Sequence, residues 1–202
     1  MIRPFDGGLL VAIEGIDGAG KTSIAALLAQ WCGERGIGCL ISKEPTSNHW
    51  GMKLRESAQS GRLPVEEELK LLELDRRDHI ERSIGPALAE GGIVILDRYY
   101  WSTAAYQGSR GLDYQKIVAD MESFAPIPDL VLFLDVDVDA GLQRIRMRGD
   151  QPNDFEKKSS LNEARDIFVK LAEESDIAIK IDASGHLKET LRQAMGAFRA
   201  RA

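Results

Sequence analysis

A glycine-rich run ending in an amine and a hydroxyl, Gly15-Ile16-Asp17-Gly18-Ala19-Gly20-Lys21-Thr22, is the clearest chemical signal in the chain. It fits G-x-x-x-x-G-K-[ST], a turn whose backbone N–H groups cradle phosphates. In that arrangement Gly15, Gly18, Ala19, Gly20, Lys21 and Thr22 surround a nucleotide's phosphate chain. The Lys21 ammonium reaches the β- and γ-phosphates, and the Thr22 hydroxyl helps to hold Mg²⁺. A second signal is Asp97-Arg98, which directly follows the apolar run Ile93–Leu96. A carboxylate there suits Mg²⁺ or its water shell, and Arg98 suits the spread charge of a phosphoryl group in transfer. Arg98, not an acidic residue, follows Asp97, so the carboxylate many ATPases use to activate water is missing. The chain also lacks N-K-x-D, so guanine selection of the GTPase type is unsupported. Transfer to a small acceptor fits better, and it requires a cover that excludes water. The polar segment Arg148–Ser160, with Gly149, Pro152 and Asn153, is the candidate lid.

These groups need a scaffold that brings them together. Leu9–Ile13 is an apolar run of strand length before the glycine turn, and Ile24, Leu27, Leu28 and Trp31 recur at helical spacing after it. Further strand-length runs are Cys39–Ser42, Ile93–Leu96, Leu130–Leu134 and Ile177–Ile181, with helical patterns between them. Near-continuous apolar strands alternating with helices predict an α/β domain built on a parallel sheet. Ligands bind at the carboxyl ends of the strands in such sheets. Glu66 to Leu88 reads as a long helix opened by Pro64 and broken at Gly85-Pro86. The last helix presents Leu187, Leu191, Met195 and Phe198 to the core, and Glu66-Glu67-Glu68 reads as a favourable helix N-terminus.

At 202 residues the chain predicts one domain, residues 1–202, with the lid at about 148–160. A formal net charge of −6 disfavours general attraction to nucleic acid or anionic membrane. Phosphate binding must then come from particular Lys and Arg residues. Cys32 and Cys39 do not have zinc spacing, and His49, His79 and His186 are scattered. Both cysteines read as small buried hydrophobes. The absence of a signal-like N-terminus or a membrane-length apolar run predicts a cytoplasmic protein.

The chain resembles the thymidylate kinase family, P-loop enzymes that convert dTMP and ATP into dTDP and ADP. The likeness runs through the P-loop with Asp17, Lys43-Glu44-Pro45-Thr46, Gly51 to Arg55, and Asp75-Arg76-Arg77-Asp78-His79. Its most specific piece is Asp97-Arg98-Tyr99-Tyr100-Trp101-Ser102-Thr103-Ala104-Ala105-Tyr106-Gln107-Gly108, followed by Pro128 to Asp135 and the lid-like Arg148-Gly149 through Phe155-Glu156. The resemblance implies a P-loop NTPase fold with a five-stranded parallel sheet flanked by helices, MgATP as the donor, and a homodimer. It puts Asp17 near the transferring phosphate and acceptor sugar, and Arg55 and Arg98 on the dTMP phosphate. Arg76 would meet the thymine edge, Thr103 and Gln107 would approach the base, and Tyr106 would pack on the deoxyribose and disfavour a 2′-hydroxyl. Glu44 and Leu72 also fall in the acceptor site. Thr22 and Asp97 would hold the metal, Arg144 would serve ATP, and Lys21, Asp17, Arg98 and Arg148 would carry catalysis. Paired arginines suit a dianionic phosphate.

Two positions depart from the family pattern. Leu72 stands where the family usually has a Phe that stacks on thymine. Asn153-Asp154 precede Phe155-Glu156, where related enzymes with Gly at the position of Gly18 often carry a catalytic arginine. The lid cation must then come from Arg144, Arg146, Arg148 or Lys157. Leu72 keeps a kinase for another nucleoside monophosphate or a deoxynucleoside as an alternative. The altered lid keeps a nucleotide-binding regulator without turnover.

Overall fold

The computed structural model describes residues 7–147, 149 and 158–202, with the backbone alone of Gln59 and Ser60. Five strands form one all-parallel sheet: β1 (Leu9–Glu14), β2 (Cys39–Lys43), β3 (Ile93–Asp97), β4 (Leu130–Asp135) and β5 (Ala178–Asp182), in the order β2-β3-β1-β4-β5. Each expected apolar run is a strand. The central three, β1, β3 and β4, are buried along almost their whole length. The edge strands β2 and β5 leave Ile41 and Ile179 exposed.

Helices pack on both sides of the sheet: α1 (Lys21–Gly33), α2 (His49–Ser60), α3 (Val65–His79), α4 (Gly85–Ala89), α5 (Tyr100–Gly108), α6 (Tyr114–Glu122), α7 (Val138–Met147), α8 (Lys158–Glu173) and α9 (Leu187–Arg199). The expected break at Gly85-Pro86 does not occur. A turn of π helix, Ile80–Ile84, joins α3 to α4, with the Gly85 N–H donating to the Ile80 carbonyl. That widened turn takes up the missing Pro86 donor and its ring without ending the helix. In α9 the buried positions are Thr190, Ala194 and Phe198, with Leu191 and Met195 partly covered, whereas Leu187 is exposed. Lys158–Ser160, expected in the lid, form the first turn of α8; 148 and 150–157 lie outside the described residues. Cys32 is buried and Cys39 half-buried, both as free thiols.

The chain runs from β1 out to β2, returns through β3 beside β1, and crosses to β4 and β5. Register sets Ile13 opposite Asp97, Lys43 opposite Asp97, and Glu14 opposite Phe133. The carboxyl ends of β1, β2 and β3 therefore lie together where the strand order reverses, the crevice that open α/β sheets use for ligands.

Candidate active site

The turn between β1 and α1 is fixed by close backbone packing. Gly18 has φ +81°, and a Cβ there would lie 2.3 Å from the Gly141 carbonyl oxygen. A Cβ on Gly141 would in turn lie 2.7 Å from the Asp17 carbonyl oxygen. The phosphate loop thus sits directly on the backbone of α7, at a distance only glycines permit. At Gly20, the N-cap of α1, no side chain caps the helix, so its first-turn N–H groups remain available for an anion. Lys21 is buried, and its Nζ donates to the carbonyls of Gly15 at 2.9 Å and Ile16 at 2.8 Å. Burial, and then the nearby Arg98 charge, push its pKa down to about 7.

Thr22 Oγ1 donates to Asp97 Oδ2 at 2.5 Å. Asp97 is buried, and its Oδ1 is the one buried side-chain oxygen or nitrogen without a hydrogen-bond partner among the described residues. An orphaned carboxylate oxygen beside a threonine hydroxyl fits a hard cation that shares its other ligands with phosphates and water. The described residues contain no cluster of three His, Cys, Asp or Glu able to enclose a metal. Two protein oxygens suit Mg²⁺ better than an all-protein cage would.

Arg98 has φ +75°, the only non-glycine with positive φ among the described residues. Such backbone strain costs about 1–3 kcal/mol and persists where surrounding contacts enforce it. Its N–H donates to the Ile13 carbonyl at 3.0 Å, and its Nη2 pairs with Asp17 Oδ1 at 2.5 Å. Nη1 makes only long contacts, 3.4 Å to the Gly15 carbonyl and 3.3 Å to Ser102 Oγ, so that edge keeps donor capacity. Tyr106 donates its hydroxyl to Asp17 Oδ2 at 2.7 Å. Burial pushes Asp17 up, but the charges of Arg98 and Lys21 outweigh it and hold the carboxyl at about 2.

Beside this lies a cavity of about 230 Å³. Asp17, Glu44, Arg55, Leu72, Arg76, Arg98, Thr103, Tyr106 and Gln107 all line it. These nine are the acceptor-site residues expected above, and they come from five separate segments. Local hydrogen bonding explains how the segments meet. Asp75 accepts from Thr46 N at 2.8 Å and Thr46 Oγ1 at 2.6 Å, and Asp78 accepts from Asn48 Nδ2 at 2.6 Å. Helix α3 thereby pins the loop after β2. Asn48 caps α2 by accepting the Gly51 N–H, and a Cβ on Gly51 would sit 2.0 Å from the Thr46 carbonyl. Arg55, exposed on α2, holds the Pro45 and Thr46 carbonyls at 2.5 and 2.6 Å.

Arg76 is only 1% exposed, so it is not a solvated helix charge. Its Nε and Nη2 donate to Glu44 Oε2 at 3.0 and 2.6 Å, and Nη2 also reaches Thr103 Oγ1 at 3.0 Å. Nη1 meets Met121 Sδ, a weak acceptor, at 3.0 Å. His79 Nδ1 lies 3.0 Å from Glu44 Oε1, and its Nε2 lies 2.8 Å from Ser42 Oγ. Burial raises the Glu44 pKa, but the Arg76 charge and the His79 bond prevail and lower it.

Sequence reasoning missed part of this site. Glu68 is not merely a helix-terminal charge. It is buried, lines the cavity, and binds Arg62 through both oxygens, Arg110 at 2.8 Å and Gln107 Nε2 at 2.8 Å. Arg110 donates to Gln107 Oε1 at 3.2 Å, so the amide has one allowed orientation. Leu54, Ala58, Tyr99 and Ser102 also line the cavity, whereas Trp50 does not. On the other side of the loop, Arg144 reaches the carbonyls of Gly18, Ser184 and Gly185 at 3.1–3.4 Å. Arg146 is exposed, and Arg148 and Lys157 lie outside the described residues.

A thymidylate kinase profile matches residues 13–194. The chain belongs to the thymidylate kinase family. It is 51% identical over 188 residues to a thymidylate kinase of Xanthomonas campestris pv. campestris (strain B100), covering 93% of this chain and 82% of that one. It is 50% identical over 190 residues to a thymidylate kinase of Xanthomonas euvesicatoria pv. vesicatoria (strain 85-10), with the same coverage. A thymidylate kinase of Xylella fastidiosa (strain M12) is 47% identical over 189 residues, 94% of this chain and 86% of that one. The thymidylate kinase match spans the phosphate loop, the cavity and the first part of α9. Among the described residues no helix is long and apolar enough to cross a membrane.

Proposed function

We propose that this chain transfers the γ-phosphoryl group of ATP to dTMP, giving dTDP and ADP. The observation that carries the reading is the convergence of all nine expected acceptor-site residues on one cavity beside the phosphate loop. A dTMP phosphate oxygen attacks the γ-phosphorus as the bond to the β-bridging oxygen breaks. Lys21 exchanges the Gly15 and Ile16 carbonyls for phosphate oxygens, which are stronger acceptors. Arg98 stays anchored on Asp17 through Nη2 and turns its Nη1 edge, held only by long contacts, to the acceptor phosphate, with Arg55 beside it in the cavity lining. Mg²⁺ held by Thr22 and Asp97 would neutralise charge on the donor phosphates.

Arg76 retains Nη1 capacity for a base carbonyl, since Met121 Sδ is a poor competitor. Gln107, oriented by Glu68 and Arg110, presents a fixed pattern to the base. Tyr106, held through its hydroxyl on Asp17, forms the sugar wall. The proposal includes Arg144 on the ATP side, Arg148 as the cation of a lid that ends before α8, at about 148–157, a cytoplasmic setting and a homodimer. Sedimentation of the purified protein tests the dimer.

The test of the site is turnover by two variants. Lys21→Ala abolishes ADP release with dTMP while its circular dichroism is unchanged. Arg98→Lys is severely impaired, because a point charge cannot replace a planar fork. Near-normal kcat in Arg98→Lys would make Arg98 a structural partner of Asp17 only.

A further inference from the structure

We infer that Glu14, at the carboxyl end of β1, is the positioning residue that aims Arg98 at the acceptor phosphate. The inference rests on the reading of Arg98 given above. Glu14 is 1% exposed and does not line the cavity, so it acts only through its neighbours. Its Oε1 accepts the Tyr99 N–H at 2.9 Å and the Ser102 N–H at 3.2 Å. Its Oε2 accepts the Ser102 hydroxyl at 2.5 Å.

Tyr99 is the N-cap of α5 and makes no side-chain cap bond; Ser102 is the third residue of that helix. A capping box normally uses two side chains of the helix itself to satisfy the N-cap and N3 donors. Here one carboxylate from a neighbouring strand satisfies both. The strained Arg98 backbone lies between this cap and the Ile13 carbonyl, which accepts the Arg98 N–H. Clamped on both sides, the residue keeps its left-handed φ.

The same carboxylate also sets a polarity. Because the Ser102 hydroxyl hydrogen is committed to Glu14, Ser102 Oγ can only accept toward Arg98, and Nη1 lies 3.3 Å away. Glu14, Ser102 and Arg98 thus form a directed chain from the sheet interior to the phosphate-facing edge of the guanidinium. Burial raises the Glu14 pKa, and the bonds from Ser102 with the Arg98 charge oppose that rise, so the ionised form depends on these contacts.

Glu14→Gln keeps the shape and one oxygen for the two N–H donors, but its NH₂ group must face Ser102. The serine then accepts from the amide, and its hydroxyl hydrogen turns toward Arg98. Calorimetry should compare dTMP with thymidine, which lacks the phosphate, for wild type, E14Q, R98K and E14Q/R98K. The loss of one bond to a charged group predicts about tenfold weaker dTMP binding by E14Q. Thymidine binding stays unchanged, and the double variant binds dTMP no more weakly than R98K. Equal loss for dTMP and thymidine, or losses that multiply in the double variant, would overturn the inference. If R98K itself leaves dTMP affinity intact, the phosphate role of Arg98 fails instead. Should E14Q not fold, Ser102→Ala, which preserves the backbone cap, must show the same phosphate-dependent loss in smaller measure. Unaltered dTMP binding by S102A would then refute the chain.

Discussion

Replacing Gly141 by alanine should damage the phosphate loop from a distance. In an exposed helix interior, Gly→Ala stabilises by about 0.5–1 kcal/mol. At Gly141 the new Cβ would stand 2.7 Å from the Asp17 carbonyl oxygen, with Ile16 Cδ1 at 3.7 Å and Val136 Cγ1 at 3.8 Å behind it. Ordinary contact begins at 3.4 Å, so α7 and the loop must separate by about 0.7 Å. The obstructing atom is backbone, and a flexible side chain cannot relieve it. Overpacking of this kind costs about 1–3 kcal/mol. The net loss, about 1–2 kcal/mol, lowers Tm by about 2–8 °C in a domain of this size. The functional loss should be larger in proportion, because Asp17 anchors both Arg98 and Tyr106. A displacement approaching 1 Å predicts a fall in kcat of about 10- to 100-fold. Gly196 in α9 is the control. A Cβ there meets nothing within 4 Å, so Gly196→Ala raises Tm by about 1–4 °C and leaves kcat unchanged. Differential scanning calorimetry and an ADP-release assay on both variants decide the matter. If Gly141→Ala gained stability and kept its kcat, the close packing of α7 on the loop would not govern the site.

Leu72→Phe adds an aromatic face to the cavity wall and should tighten dTMP binding by about 1 kcal/mol or less, read by calorimetry; unchanged or weaker binding would mean that the base does not rest on this position. Asp17 titrates at about 2 when folded against an ordinary 3.8, so its contribution is complete above about pH 4 and is lost as pH falls through 2. The Tm gap between wild type and Asp17→Asn should therefore narrow from pH 4 to pH 2, and a constant gap would contradict the ion pair. Lys21, pushed to about 7 by burial, is mostly neutral at pH 8 in the free protein, and phosphates restore its charge. Binding of ATP at pH 8 should take up nearly one proton, seen as a buffer-dependent calorimetric enthalpy; an enthalpy independent of the buffer would count against phosphate contact by Lys21.

The sheet was legible because its strands are apolar runs, the central three buried on both faces, and the phosphate loop because its chemistry is local in sequence. Helix breaking at Pro86 was misread, since a π turn such as the one ending with the Gly85 N–H on the Ile80 carbonyl leaves no mark in side-chain periodicity. Leu187 fits the apolar stripe of α9 yet is exposed, as the first residue of that helix. Glu68 was hidden for another reason. One acidic residue in a run of three looks solvated, and nothing local announces that Arg62, Gln107 and Arg110 converge on it. Glu14 is similar: an acid at the end of a buried strand is a weak signal, and its partners lie 85 and 88 positions away. The cavity residues were found through family likeness, since arginines on charged helices otherwise read as surface.

The most direct test of the central claim is acceptor choice by the purified protein. With MgATP in excess, ADP release and product identity should be measured for dTMP, UMP and dCMP. The oriented Gln107 amide, the Arg76 edge and the Tyr106 wall predict dTDP as the product, with kcat/KM for dTMP at least about 100-fold above either competitor. Equal or better turnover of UMP would contradict both the base reading and the sugar wall.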